Sequence, residues 1–215
     1  MQKFTPKISV VGIDVGGKKK GLHAVALENG RYKARFATGD IDSMRAWCVD
    51  EVQALVIAVD APCRWSFNDE ARLAERELLR KRIWCFSTPT RHKADSHPGG
   101  YYGWMLQGEA LYDALKPTHP IAEAWPPHGP RYLFETFPHA IAWHLRGGDA
   151  SARQKRAQRR KLLEEHGINV DELTNIDWVD AALCALTAHR VVTGGKVTCY
   201  GEPETGFIVV PEPSN

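Results

Sequence analysis

The sequence predicts a single α/β domain over residues 1–215, with a mixed five-stranded sheet flanked by helices. Three observations carry that expectation. Two short apolar runs, Ile8-Ser-Val-Val-Gly-Ile-Asp14 and Ala54-Leu-Val-Ile-Ala-Val-Asp60, have the unbroken character of buried strands. Asn29-Gly30 joins two extended segments and is the signature of a type I′ hairpin. Beyond residue 60, strand-like runs alternate with segments of helical length, the pattern of a parallel sheet covered by helices.

The elements follow in chain order. Residues 7–15 form the first strand, stopped by Gly16-Gly17, and 22–28 and 31–38 complete an antiparallel meander of strands 1–3. Asp42 and Ser43 are expected to cap a helix over 43–51. Residues 54–59 give a fourth strand, central and covered on both faces. A charged amphipathic helix is expected over 69–82, with Glu75 on its polar face, and a short strand over 83–86. Residues 87–130 read as a loop-rich insertion with one helix near 105–115, because prolines, glycines, histidines and aromatics dominate there. Arg131–Glu135 is the fifth strand, parallel to the fourth. Helices are expected at 138–145, 151–166 and 175–193, the last stopped by Gly194-Gly195. In the tail, 196–200 pairs with Phe207–Val210 across a turn.

Composition narrows the function classes. Hydrophobic residues make up 43% and charged residues 25%, as in a globular chain and unlike a disordered one. No apolar run has the length of a membrane span and none at the N-terminus reads as a secretory signal, so a cytoplasmic location is expected. Five cysteines, at 48, 63, 85, 184 and 199, lack CxxC spacing, which argues against a disulfide framework and a zinc site. A net charge of +2 permits a polyanionic partner without demanding one.

The informative charges are acids in apolar elements. Asp14 and Asp60 each close a buried strand, and Asp180 lies within the alanine-rich helix Ile176-Asp-Trp-Val-Asp-Ala-Ala-Leu. Carboxylates are rarely buried unless paired or bound to a metal, so several on separate core elements point to one cation-binding cleft. Asp177 shares a helix face with Asp180 at i and i+3, although Thr174-x-x-Asp177 also reads as a capping box. Asp14 and Asp60 also have local readings, since each precedes residues that favour a turn.

The order βββαβαβα with an initial meander is that of the ribonuclease H-like fold. The chain also resembles the family catalogued as domain of unknown function 429, whose members are described as predicted ribonuclease H-like nucleases. The matching segments are Val11–Asp14, Val56–Pro62, Arg72–Leu78, Phe134–Pro138, Asp177–Leu183 and Gly201–Pro211. The Asp-x-x-Asp helix is similar to the corresponding helix of bacterial Holliday-junction resolvases. The resemblance implies a divalent-metal-dependent nuclease that hydrolyses DNA or RNA with Mg²⁺ or Mn²⁺ through a two-metal carboxylate mechanism. Asp14, Asp60 and Asp180 would be catalytic, and Asp177 and Glu135 further metal ligands; magnesium's preference for oxygen donors suits such a set. Glu135 has a second reading, pairing with Arg64 or Arg72 beside the cleft.

Nucleic acid as a partner gives the basic residues a use, because Lys and Arg displace counterions from phosphates. Lys18, Lys19, Lys20, Arg64, Arg91 and Lys93 are the expected contacts, whereas the basic run over 153–161 reads as a solvated helix face. Two other classes fit the pattern. One is a non-catalytic nucleic-acid-binding or scaffold protein of the same fold. The other is an actin-like ATP-binding phosphotransferase, disfavoured by a single meander and the lack of a GxxxxGK[ST] loop.

Overall fold

Seven strands, rather than five, make up the sheet of the computed structural model, which describes residues 7–213. Strand β1 (Ser9–Val15) pairs antiparallel with β2 (Leu22–Glu28), and β2 antiparallel with β3 (Arg31–Thr38). The hairpin between the last two turns at Asn29 and Gly30, whose φ angles of 50° and 78° are those a type I′ turn needs. β4 (Val56–Asp60) runs parallel to β1 on one side and to β5 (Tyr132–Glu135) on the other, which makes it central. The two additional strands, β6 (Val197–Glu202) and β7 (Gly206–Pro211), form the tail hairpin. β7 lies parallel to β5, so the sheet order is β3-β2-β1-β4-β5-β7-β6. Phe207-Ile-Val-Val is apolar on both faces, and joining the main sheet is how it buries them.

The helices are α1 (Ile41–Ala46), α2 (Leu73–Arg80), α3 (Arg91–Ser96), α4 (Gly103–Leu115), α5 (Pro138–Leu145), α6 (Lys155–Glu165) and α7 (Ile176–Val192). Several differ from expectation for local reasons. Asp40, not Asp42 or Ser43, caps α1 by accepting from the Ser43 amide at 2.8 Å, and the chain continues as a π-helical turn over Trp47–Glu51. α2 starts later than residue 69, where Asp69 has a φ of 61° that a right-handed helix cannot accommodate. Residues 83–86 form no strand. Ile83 is buried while Trp84 and Phe86 are exposed, and this segment has no pairing partner in the sheet. The 87–130 segment carries two α-helices rather than one, with a 3₁₀ turn over Pro98–Gly100 between them.

The sheet separates two cores, and strand alternation decides which side chains enter each. Val10, Val56, Ala58 and Phe134 belong to the core beneath α5, α6 and α7; Val11, Ile13, Ile57, Val59 and Leu133 belong to the core that α1 and α4 cover. With a side-chain period of two, Asp14 and Asp60 extend the rows that face α7. That helix lies almost on the backbone of β1. A Cβ on Gly12 would stand 2.1 Å from the Ala181 carbonyl oxygen and from the Ala185 amide nitrogen, so only glycine lets the two elements approach this closely.

Candidate functional site

Four acids converge at one end of the interface between the sheet and α7. Asp14 and Asp60 are register partners at the ends of adjacent parallel strands. α7 brings Asp177 in its first turn and Asp180 one turn further in. Asn175 caps the helix instead, accepting from the Trp178 amide at 3.0 Å, which leaves the Asp177 carboxylate available to other partners.

Each buried acid resists ionisation. Burial raises the Asp14 pKa from 3.8 to about 6, against the pull of Lys20 and with the repulsion of Asp180 and Asp177 added. Asp60 is pushed well above the usual carboxylate range, first by burial of its carboxyl group and then by Asp14 and Asp180. Asp180 is raised by burial, although Arg159 opposes the shift.

Two basic side chains answer this negative charge. The Lys20 ammonium lies 2.6 Å from Asp177 Oδ1 and 3.4 Å from Asp14 Oδ2. Its stem folds back over Gly16, where a Cβ would come within 2.7 Å of Lys20 Cβ and Cδ. Arg159, buried on α6, donates from Nη1 to Asp180 Oδ1. His23 stands opposite Asp14 on β2 and packs edge-on to Trp178 at 4.7 Å. Ligand atoms of Asp14, His23 and Asp177 all lie within 4.8 Å of one another, and the buried His23 Nδ1 has no hydrogen-bond partner. Burial lowers the His23 pKa despite the nearby Asp177, which favours the neutral imidazole.

This donor set fits a hard divalent cation. It is dominated by carboxylate oxygens, Asp14, Asp60 and Asp180 resist ionisation, and the Lys20 ammonium already acts as a stand-in cation between Asp14 and Asp177.

Glu135 bonds to Arg72 rather than joining the four acids, although its charge adds to the burial and the repulsion that raise the Asp60 pKa. Its Oε1 accepts from Arg72 Nη2 at 2.6 Å, and its Oε2 accepts from Arg72 Nη1 and the Cys63 amide, both at 2.9 Å. In the strand alternation it falls with Leu133 and its cross-strand partner is Val59, so it stands outside the rows that face α7. The pairing with Arg72, one of its two sequence readings, is therefore the one observed. Glu75 also departs from expectation: it is buried, and Arg72 Nε donates to it at 2.8 Å. Arg72 thus joins two carboxylates beneath the cleft.

The expected nucleic-acid contacts divide. Lys20 turns into the acids. Lys18 and Arg91 line a cleft of about 640 Å³ next to the Lys18–Lys20 turn, where Arg91 pairs with Glu109 at 3.3 Å and Asp95 at 3.4 Å, and Lys19 is exposed on that turn. Arg64 pairs with Glu123 at 2.6 Å, and Lys93 lies 3.9 Å from Asp69.

Sequence reasoning missed His23, Arg159 and the inward turn of Lys20. His23 was accessible by counting the hairpin register outward from Val15 and Leu22. Arg159 shares the buried stripe of α6 with Leu162 and Leu163 at i+3 and i+4, a placement that marks it as internal within a basic run.

A family model described as "Protein of unknown function (DUF429)" matches residues 12–205. No curated protein matches the chain. Among solved structures, one described as Thermus thermophilus RuvC is 16% identical, with an alignment that covers 87% of this chain and 97% of that one at a TM-score of 0.45. Among the described residues, no helix is long and apolar enough to cross a membrane.

Proposed function

The chain belongs to the family of proteins of unknown function DUF429, and from its site we propose that it is a divalent-cation-dependent nuclease acting on DNA or RNA. The observation that carries this reading is the convergence of Asp14, Asp60, Asp177 and Asp180, from two strand ends and one helix, with the buried carboxylates held short of ionisation. These residues would hold Mg²⁺ or Mn²⁺. When bound, such a cation would polarise the phosphoryl group as a Lewis acid and neutralise negative charge that develops on its oxygens.

The remaining contributions belong to the chain itself. Lys18 and Arg91 face the adjacent cleft and would position phosphates of the strand entering it. Gly12 fixes the depth of α7 and so the placement of Asp180 relative to Asp14. The Arg72–Glu135 pair braces the end of β5 beside Asp60.

Incubating the protein with labelled single-stranded, duplex and branched DNA and RNA, with Mn²⁺ or Mg²⁺, tests the proposal. Cleavage is expected in the wild type and absent in Asp14→Asn. Equal cleavage by Asp14→Asn would remove the acids from the mechanism, and an inert wild type across the panel would overturn the reading.

One observation favours a non-hydrolytic binding protein of the same fold. Lys20 and Arg159 already engage three of the four acids, as they would in a site whose charges are neutralised for good. Nucleic-acid binding that is indifferent to divalent cations, without turnover, would select that alternative.

A further inference from the structure

The two basic side chains at the acids bear on how many ions the site takes. With a cation bound to ionise them, the four carboxylates carry four negative charges. The Lys20 ammonium is shared by Asp177 and Asp14, and the Arg159 guanidinium is held by Asp180. A guanidinium does not deprotonate in a protein, and Arg159 is only 6% exposed, so its charge is a fixed part of the site. Two negative charges remain, the complement of one divalent ion.

A second divalent ion would give this enclosed group a surplus of two positive charges unless a basic side chain left. Expelling Arg159 from Asp180 would break a buried pair, a costly step. Lys20 is the displaceable one, since its side chain is half-exposed at the end of a flexible stem. Asp60 differs from the other three acids: among the described residues, no basic side chain comes within ion-pairing distance of it, and the more distant pull of Arg159 does not offset its burial and the repulsion of Asp14 and Asp180. It is the carboxylate left in need of a cation.

From this charge balance we infer that the site takes one divalent ion, held at Asp60 with Asp14, and that Lys20 serves as the site's second cation against Asp14 and Asp177. The inference rests on the proposed metal dependence and replaces the two-metal arrangement that the family resemblance implies. Lys20 would then neutralise the charge of Asp14 and Asp177 that a second ion would otherwise balance. No bond is made or broken by this residue; its role is electrostatic.

Counting Mn²⁺ bound per chain, from the loss of the free-ion electron paramagnetic resonance signal, tests the inference without any substrate. One ion is expected in the wild type, two in Lys20→Met, and none in Asp60→Asn. Thermal melts of each variant verify folding, and the wild-type count stands whatever the variants do. Two ions in the wild type would overturn the inference and leave the nuclease reading intact. A single ion retained in Lys20→Met would deny Lys20 its role as the second cation. No ion in the wild type at millimolar Mn²⁺ would overturn both the inference and the metal-dependent reading.

Discussion

Replacing Asp14 with asparagine should stabilise the metal-free protein even though it destroys the site. Burial and the neighbouring acids raise the Asp14 pKa from 3.8 to about 6, so the folded state binds a proton more tightly than the unfolded chain does. For an acid shifted in this direction, the unfavourable contribution is absent below pH 3.8 and fully present above about pH 6. Raising the pKa from 3.8 to about 6 corresponds to ~3 kcal/mol of stability lost on ionising this group. Asp14 is only 6% exposed, so solvent screening takes little from that figure. The loss of the Lys20 contact does not reverse the sign, because the net shift already includes the pull of Lys20 and remains upward. Urea melts in a chelator should therefore show Asp14→Asn more stable than wild type by ~3 kcal/mol at pH 7, with the gap closing towards pH 4. With Mn²⁺ the order should invert. The wild type gains about 4.1 kcal/mol at a thousandfold excess of ion over its dissociation constant, which exceeds the ~3 kcal/mol deficit, and the variant gains nothing. An Asp14→Asn protein less stable than wild type at pH 7 in chelator would refute the reasoning, because it would mean that Lys20 already satisfies the carboxylate.

Three further outcomes test other levels of the argument. Gly12→Ala should cost at least ~3 kcal/mol in urea melts and weaken Mn²⁺ binding, because a methyl 2.1 Å from two α7 backbone atoms forces the helix away from β1; a loss below ~1 kcal/mol would show that the helix can retreat freely. Arg72→Met should cost about 3–5 kcal/mol by leaving Glu135 and Glu75 buried without their cation, while adding Glu135→Gln to it should recover part of that loss; no recovery would mean that packing, not charge, sets the cost. Lys18→Ala/Arg91→Ala should weaken binding to unrelated nucleic-acid sequences alike and lower the salt dependence by about one unit per lost phosphate contact; an unchanged slope would remove this cleft from the interface.

The acids of the site were legible because each violates its own local context. An aspartate that ends a buried strand, or sits a turn inside an alanine-rich helix, has no propensity reason to be there. The period-two rows through Val10 and Val56 then aim Asp14 and Asp60 at one helix. The same rule removes Glu135, since it follows Leu133 into the other face. Carboxylates that look equivalent as strand ends are thus separated by register, which becomes visible only when β4 and β5 are paired. The basic partners were hidden for the opposite reason. Lys20 and Arg159 lie in runs of like charge, Lys18–Lys20 and 153–161, where local sequence favours a solvated surface. What turns Lys20 inward is the bare Gly16 beneath its stem, and what buries Arg159 is its place on the stripe with Leu162 and Leu163. A buried acid therefore shows itself through its neighbours in sequence, whereas its counter-cation shows itself only through neighbours in space. That asymmetry is why sequence alone offers nothing against the two-ion site that the family resemblance implies. It exposes four acids, and it leaves out the two basic side chains that reduce their charge to what a single ion balances.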